Sequence, residues 1–324
     1  MLDALTCTTP LAEARQEALR DVWGTTMAEI ADDDPNLVVL DGDLANSTRA
    51  DIFAEAHPNR FFEMGIAEQN LIGVAAGLAT LGFVPWISTF AAFVAKRALD
   101  QIRVVVAQPH LNVKLCGSYS GILTGKTGKT HQSVEDIAVF RAMPGVVTLA
   151  PADGNELRAA MRAMMEHDGP MYLRLTRDPS SVVFPDGHRF EIGRAVLLRD
   201  GVDIGLISTG VQTIRTLEAA DLLAGRGIAA AVLHMPTLKP FDIAAVVGLA
   251  AKTGAVVTAE DHSMIGGLGG AVAETLAEHH PTKMRRVGIA DTYGESGPND
   301  AILEKYGLTA RHVAAAAEQL LTKH

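Results

Sequence analysis

Short apolar runs, polar turns and amphipathic stretches alternate along this chain. Residues 11–31 carry apolar positions at helical spacing, and LVVLDGD from Leu37 reads as a short buried strand ending in a polar loop. Strand-like runs follow at FFEMG, FVPWI, NVKLCG, GVVTLA and MYLRL, with helices expected over residues 67–81, 91–107, 134–141 and 155–167. Five or six strands alternating with helices predict a mostly parallel sheet covered on both faces. Ligands bind such sheets at the carboxyl ends of the strands.

From Asp178 to Gly193 the sequence DPSSVVFPDGHRFEIG gathers Pro, Ser, Asp and Gly, a composition suited to an exposed crossing. The domain boundary is expected near Gly187, giving domains of residues 1–186 and 187–324. A second α/β series follows: DIGLISTG, a helix over 211–226, IAAAVLHM, a helix after Phe241, GAVVTAED, a helix over 269–278, RRVGIAD and a closing helix.

Residues 71–95 form a run of 25 positions without a formal charge, long enough to raise the question of a membrane span. Gly73, Gly77 and Gly82 interrupt it, Pro85 cannot continue a helix, and Trp86-Ile87-Ser88 precede a fresh helical pattern. A buried helix, a short strand and a second helix fit better. The start, MLDALTCTTPLAEARQ, lacks the basic and apolar character of a signal peptide, so a cytoplasmic protein is expected. The net charge of −10, with no basic run longer than Arg285-Arg286, disfavours nucleic acid as a partner. Cys7 and Cys116 have neither metal-ligand spacing nor a disulfide framework and read as reduced thiols.

Glu68 stands at the mouth of the uncharged run, where a carboxylate is costly without a partner. A lone acid in a helix's first turn is ordinarily a dipole partner. In a water-poor site, however, such a carboxyl can also hold a hydrogen bond to a ring nitrogen. Phe90 and Phe93 in STFAAF offer flat faces for stacking on a heteroaromatic ring. His131 in KTHQSVED lies at a loop-to-helix junction, with Ser133 placed to cap and Glu135-Asp136 in the first turn.

Two apparent phosphate loops fail. GKT occurs at Gly125 and Gly128, but the glycines needed five residues earlier are Ser120 and Leu123. GGLGGAV after GAVVTAED lacks the G-x-G-x-x-G order, and its glycines serve a tight helix start.

The ordered set LDGDLANST, FFEMGIAEQN, GFVPWISTFAAF, GKTHQSVEDIA, GPMYLRLTR, AEDHSMIGGLGG and DTYGESGPNDAILEKYGL resembles the transketolase family of thiamine diphosphate enzymes over nearly the whole chain. The resemblance implies a pyrimidine-binding parallel-sheet domain followed by a transketolase C-terminal α/β domain. It places Glu68 on the aminopyrimidine ring of the cofactor, Phe93 in stacking contact with that ring and Phe90 beside it. Asp43 matches a polar residue lining the cofactor cavity. His131 falls against the sugar hydroxyls and the carbonyl-derived oxygen, and Arg20, Ser47 and Arg177 fall where the family converges on a substrate phosphate.

The family's diphosphate module, a GDG motif with a downstream Asn that holds Mg²⁺, has no counterpart here; Asp41-Gly42-Asp43 has the order reversed. The resemblance therefore implies one half of a split transketolase, working with an N-terminal subunit that carries the GDG module, most simply as α2β2. Departures gather in one loop. Lys126-Thr127 stands where the family usually has Glu-Asp, and Tyr119 replaces a phosphate-recognising histidine. The first change alters the local charge by about three units, which puts the standard ketose phosphate in doubt. Rival readings are the β subunit of a 2-oxo acid dehydrogenase E1 component and a noncatalytic scaffold subunit.

Overall fold

The computed structural model describes residues 11–322, so Cys7 lies outside the described residues. Every position of Leu37–Asp41 is buried, as a strand covered on both faces requires. The strands of the first half are, in chain order, β1 (Gln16–Ala18), β2 (Leu37–Asp41), β3 (Phe61–Glu63), β4 (Val84–Phe90), β5 (Lys114–Ser118), β6 (Val147–Leu149), β7 (Met171–Arg174) and β8 (Pro179–Ser181). In the first sheet the order is β6-β7-β5-β4-β2-β3, all parallel. A seventh strand, Thr237–Lys239, arrives from the second half of the chain and joins β6 antiparallel. The expected strands are thus present, and sequence periodicity gave no sign of this crossing partner.

Three expectations need correction. The first α-helix of the described residues runs Leu19–Asp33, because Gln16–Ala18 is drawn into an antiparallel pair with Pro179–Ser181 and Leu11–Glu13 forms a 3-10 turn ahead of it. The helix expected over 91–107 is broken into Ala91–Val94, Leu99–Gln101 and a wide-turned Ile102–Ala107. The interruption turns Lys96 and Arg97 toward acids: Lys96 pairs with Glu135 at 2.6 Å and Arg97 with Glu68 at 2.8 Å. Finally, the helix after His131 is Asp136–Ala142, and Ser133 does not cap it. The Ser133 hydroxyl has no partner, while its carbonyl accepts from Gly121 N–H at 2.7 Å.

The second half places β9 (Val196–Arg199), β10 (Ile204–Ser208), β11 (Ala230–His234), β12 (Thr237–Lys239), β13 (Ala255–Ser263) and β14 (Lys283–Ile289) in chain order. Its sheet runs β14-β13-β10-β11-β9, parallel except for β9, which the sequence pattern did not reveal. Helices Gln212–Ala224, Ile243–Thr253, Leu268–His279 and Ala310–Thr322 cover it. Asp242 caps the Ile243–Thr253 helix by accepting from Ala245 N–H at 3.0 Å, and left-handed Gly254 ends it.

Buried charge ties the two halves together. Arg174 donates to Asp136 at 2.8 Å and to the Asp261 carbonyl at 2.7 Å, while Tyr172 donates to Asp136 at 2.7 Å. Burial alone would push the Asp136 carboxyl up, but the Arg174 guanidinium holds it below the usual carboxylate range. Glu260 accepts the first N–H groups of the Leu268–His279 helix, from Leu268 at 2.7 Å and Gly269 at 2.8 Å. Its burial nevertheless pushes it up to about 7. No helix among the described residues is long and apolar enough to cross a membrane.

Candidate active site

The uncharged run folds as the helix Glu68–Thr80, strand β4 and the short helix Ala91–Val94. That arrangement leaves Glu68 in the first turn of its helix with its side chain 5% exposed. Its partner is Arg97, whose Nη1 donates to Glu68 Oε1 at 2.8 Å and whose guanidinium carbon lies 3.8 Å from the Phe93 ring centroid. Ile66, Ala67, Gln69 and Asn70 complete the lining of this cleft. Sequence reasoning missed Arg97. The available signal was its place in the first pair of cations after the charge-free run.

An aromatic wall continues from Phe93. Phe90 ends β4 at the sheet's carboxyl edge, 5.7 Å from Phe93, and stacks on Tyr119 with centroids 4.1 Å apart. Tyr119 follows β5 with φ of 58°, a left-handed conformation uncommon for an aromatic residue. His131 stands edge-on to both phenylalanines, 5.3 Å from Phe93 and 5.9 Å from Phe90, and its Nδ1 meets the Thr130 hydroxyl at 2.9 Å.

Basic groups close the far end. Arg20 Nη1 donates to the Tyr119 hydroxyl at 2.9 Å and to the Ser47 carbonyl at 3.1 Å. The Arg177 guanidinium carbon lies 5.6 Å from the Tyr119 ring centroid, and Arg177 pairs with Asp178 at 2.9 Å. Tyr119 and then Asp178 push the already high Arg177 pKa further up, so this guanidinium is charged throughout the working pH range. Contacts therefore run unbroken from Glu68 through Arg97, Phe93, His131, Phe90 and Tyr119 to Arg20 and Arg177. A line of aromatic rings has an acid with its Arg97 partner at one end and the guanidinium groups of Arg20 and Arg177 at the other, at the carboxyl ends of the parallel strands.

Other expected residues stand apart from this line. Ser47 contributes its backbone carbonyl, while its hydroxyl reaches Asn46 at 3.3 Å. Asp43 is exposed with φ of 67°, and its backbone N–H donates to Glu63 at 2.9 Å. Lys126 and Thr127 are exposed on the loop before His131, where Thr127 bonds the Thr124 hydroxyl at 2.8 Å. Asp41, first of the reversed triplet, turns the chain by accepting from Leu44 N–H at 2.6 Å, and burial pushes it up to about 6. Among the described residues, no group of three or more His, Cys, Asp or Glu side chains is placed to hold a metal ion.

Comparison with known proteins identifies the two domains. Residues 15–180 match the family model for the transketolase pyrimidine-binding domain, and residues 193–313 match the transketolase C-terminal domain. A 6-deoxy-6-sulfo-D-fructose transketolase subunit, SqwH, from Clostridium sp. strain MSTE9 is 45% identical over 93% of this chain and 94% of its own length. An apulose-4-phosphate transketolase subunit from Phocaeicola vulgatus is 35% identical over 94% of this chain and 98% of its own. A solved chain described as a split-gene transketolase, inactive beta4 tetramer, superposes with a TM-score of 0.88 at 48% identity, covering 94% of this chain and 98% of that one. The Campylobacter jejuni transketolase shares the fold with a TM-score of 0.78 at 23% identity, and this chain spans 47% of it. This protein belongs to the transketolase family, with a pyrimidine-binding domain followed by a transketolase C-terminal domain.

Proposed function

We propose that this chain is the pyrimidine-binding subunit of a two-component, thiamine diphosphate-dependent transketolase, moving a two-carbon ketol unit from a ketose to an aldose acceptor. The observation that carries the reading is the line from Glu68 to Arg177. The Arg97 guanidinium is flat, bonded at its edge to Glu68 and stacked over Phe93. Those are the two contacts an aminopyrimidine ring needs, so the residues present fit that half of the cofactor. When bound, thiamine diphosphate supplies a carbon nucleophile for the donor carbonyl.

With the Arg97 guanidinium displaced, Glu68 would hold a proton toward a ring nitrogen from its buried seat, and Phe93 with Phe90 behind it would bear the ring face. His131 faces the reacting end of the sugar and donates to its hydroxyl or carbonyl-derived oxygen. Arg20 and Arg177, with the Ser47 turn, grip a terminal oxyanion on the substrate. The names of the relatives, a sulfonated fructose in one and a sugar phosphate in the other, support an anionic sugar as the substrate class. Tyr119, Lys126 and Thr127 set which anion is preferred, and Asp43 lines the outer cavity. The domains divide near Gly187.

An N-terminal transketolase subunit carrying the GDG motif and downstream Asn would hold Mg²⁺ and the diphosphate, in an α2β2 assembly. Structural engagement of Asp41 within its own turn supports that division of labour. The test is reconstitution. The isolated chain should bind thiamine diphosphate weakly by calorimetry and show no ketol transfer, and adding the partner should restore both. Tight Mg²⁺-dependent binding by this chain alone would end the split-subunit reading.

A further inference from the structure

The segment at residues 294–299, from the C-terminal domain, grips the loop that carries His131. Asn299 is the centre of the grip. Its Oδ1 accepts from Gly125 N–H at 2.9 Å and its Nδ2 donates to the Leu123 carbonyl at 2.9 Å. The same Nδ2 donates to Asp178 Oδ2, while the other oxygen of that carboxylate accepts from Arg177 Nη1 at 2.9 Å. Around this centre, Gly297 N–H donates to the Gly125 carbonyl at 3.0 Å and Gln132 Nε2 to the Glu295 carbonyl at 3.0 Å. The approach is close enough that a Cβ on Gly125 would overlap the Gly297 carbonyl oxygen, and one on Gly128 would overlap the Ser296 hydroxyl.

One side chain thus reaches two functional elements that are far apart in sequence. The Leu123–Gly125 backbone leads into the turn in which His131 N–H donates to the Gly128 carbonyl at 3.1 Å. Asp178 orients Arg177, which is 43% exposed and has long side-chain freedom to lose. A carboxylate fixed at one oxygen presents the other in a defined direction, and the guanidinium that binds it inherits that direction.

We propose that Asn299 is a positioning residue for the transfer reaction, locking the His131 loop and the Asp178–Arg177 pair into one frame from the C-terminal domain. The inference rests on the reading above in which Arg177 grips the oxyanion of the substrate. Asn299 touches no reacting atom. Its influence is therefore strongest on substrates that need an aimed Arg177.

The experiment uses the assembled enzyme with xylulose 5-phosphate as donor and either ribose 5-phosphate or uncharged glycolaldehyde as acceptor. In Asn299→Ala, kcat/KM for ribose 5-phosphate should fall about tenfold more than for glycolaldehyde, mainly through KM, as expected for one mis-aimed charge-assisted contact. Asn299→Asp keeps an acceptor for Gly125 N–H but repels Asp178, and should show the same selective loss. Adding Asn299→Ala to Arg177→Ala should cost no further anion preference. Hydrogen exchange on the chain itself should rise at residues 123–128 in Asn299→Ala.

Equal losses on both acceptors, additive effects in the double variant, or unchanged exchange at 123–128 would each overturn the positioning role. If Arg177→Ala leaves the preference for ribose 5-phosphate intact, the reading in which Arg177 grips the substrate oxyanion fails and takes this one with it. If Arg177→Ala removes the preference while Asn299→Ala does not, only the positioning role falls.

Discussion

Glu68 and Arg97 form an unequal pair, and the inequality predicts how each responds to substitution. Glu68 is 5% exposed, whereas Arg97 is 47% exposed. In Glu68→Gln the amide still accepts from Arg97, and a half-exposed guanidinium is solvated without it, so the stability loss should stay below about 1 kcal/mol. Arg97→Met instead leaves a nearly buried carboxylate without its cation. Stranding a fully buried charge costs about 3–5 kcal/mol, and discounting for the open side of this pair leaves roughly 1–3 kcal/mol. The cation above Phe93 adds about 0.5–1 kcal/mol to that loss.

Turnover should rank the two positions differently. Glu68→Gln keeps the shape but cannot share a proton, so the assembled enzyme should lose on the order of 10²- to 10⁴-fold in kcat. Urea unfolding of the lone chain and ketol transfer by the assembly measure the two orders. A Glu68→Gln enzyme that keeps most of its rate would remove the central assignment. If it destabilised the chain more than Arg97→Met does, the argument from burial would be wrong.

Two further outcomes are expected. Lys126→Glu/Thr127→Asp should raise kcat/KM for xylulose 5-phosphate with ribose 5-phosphate by about three- to tenfold, a modest factor because both residues are exposed and screened; a wild type already efficient on this pair, with no gain in the double variant, makes the departures neutral. For Glu260, burial raises the folded carboxyl from 4.5 to about 7, so the native state binds more protons than the unfolded chain between those values and stability falls as pH rises through that window. Glu260→Gln loses one helix N–H acceptor at every pH, but should erase this fall, narrowing its deficit to wild type by about 3 kcal/mol between pH 4.5 and 7. Parallel urea-stability profiles for the two proteins would refute it.

Much of the fold was legible because its signals are local. β2, β4, β5 and β7 announced themselves as short apolar runs between turns, and Gly73, Gly77, Gly82 and Pro85 divided the charge-free stretch into helix and strand. Glu68, Phe90, Phe93 and His131 were identified as candidates by residue type and motif, and packing then brought them onto one shelf. Ser133 was misread for the converse reason: its sequence position suits a cap, but the carbonyl it offers Gly121 N–H belongs to a loop bridge.

Alternation and turn chemistry determined the two α/β series, and motif order carried the resemblance that singled out the acid, the aromatic rings and the histidine as candidates, since each signal depends on neighbours within a few residues. Tertiary structure alone decided the rest. It joined Arg97 to Glu68 across 29 positions, Asn299 to Gly125 across 174, and β12 to the sheet of the other domain. Such pairings leave no periodic trace in the chain, because a hydrogen bond or ion pair is set by where two backbones finally pass each other, and that is fixed only when the layers pack.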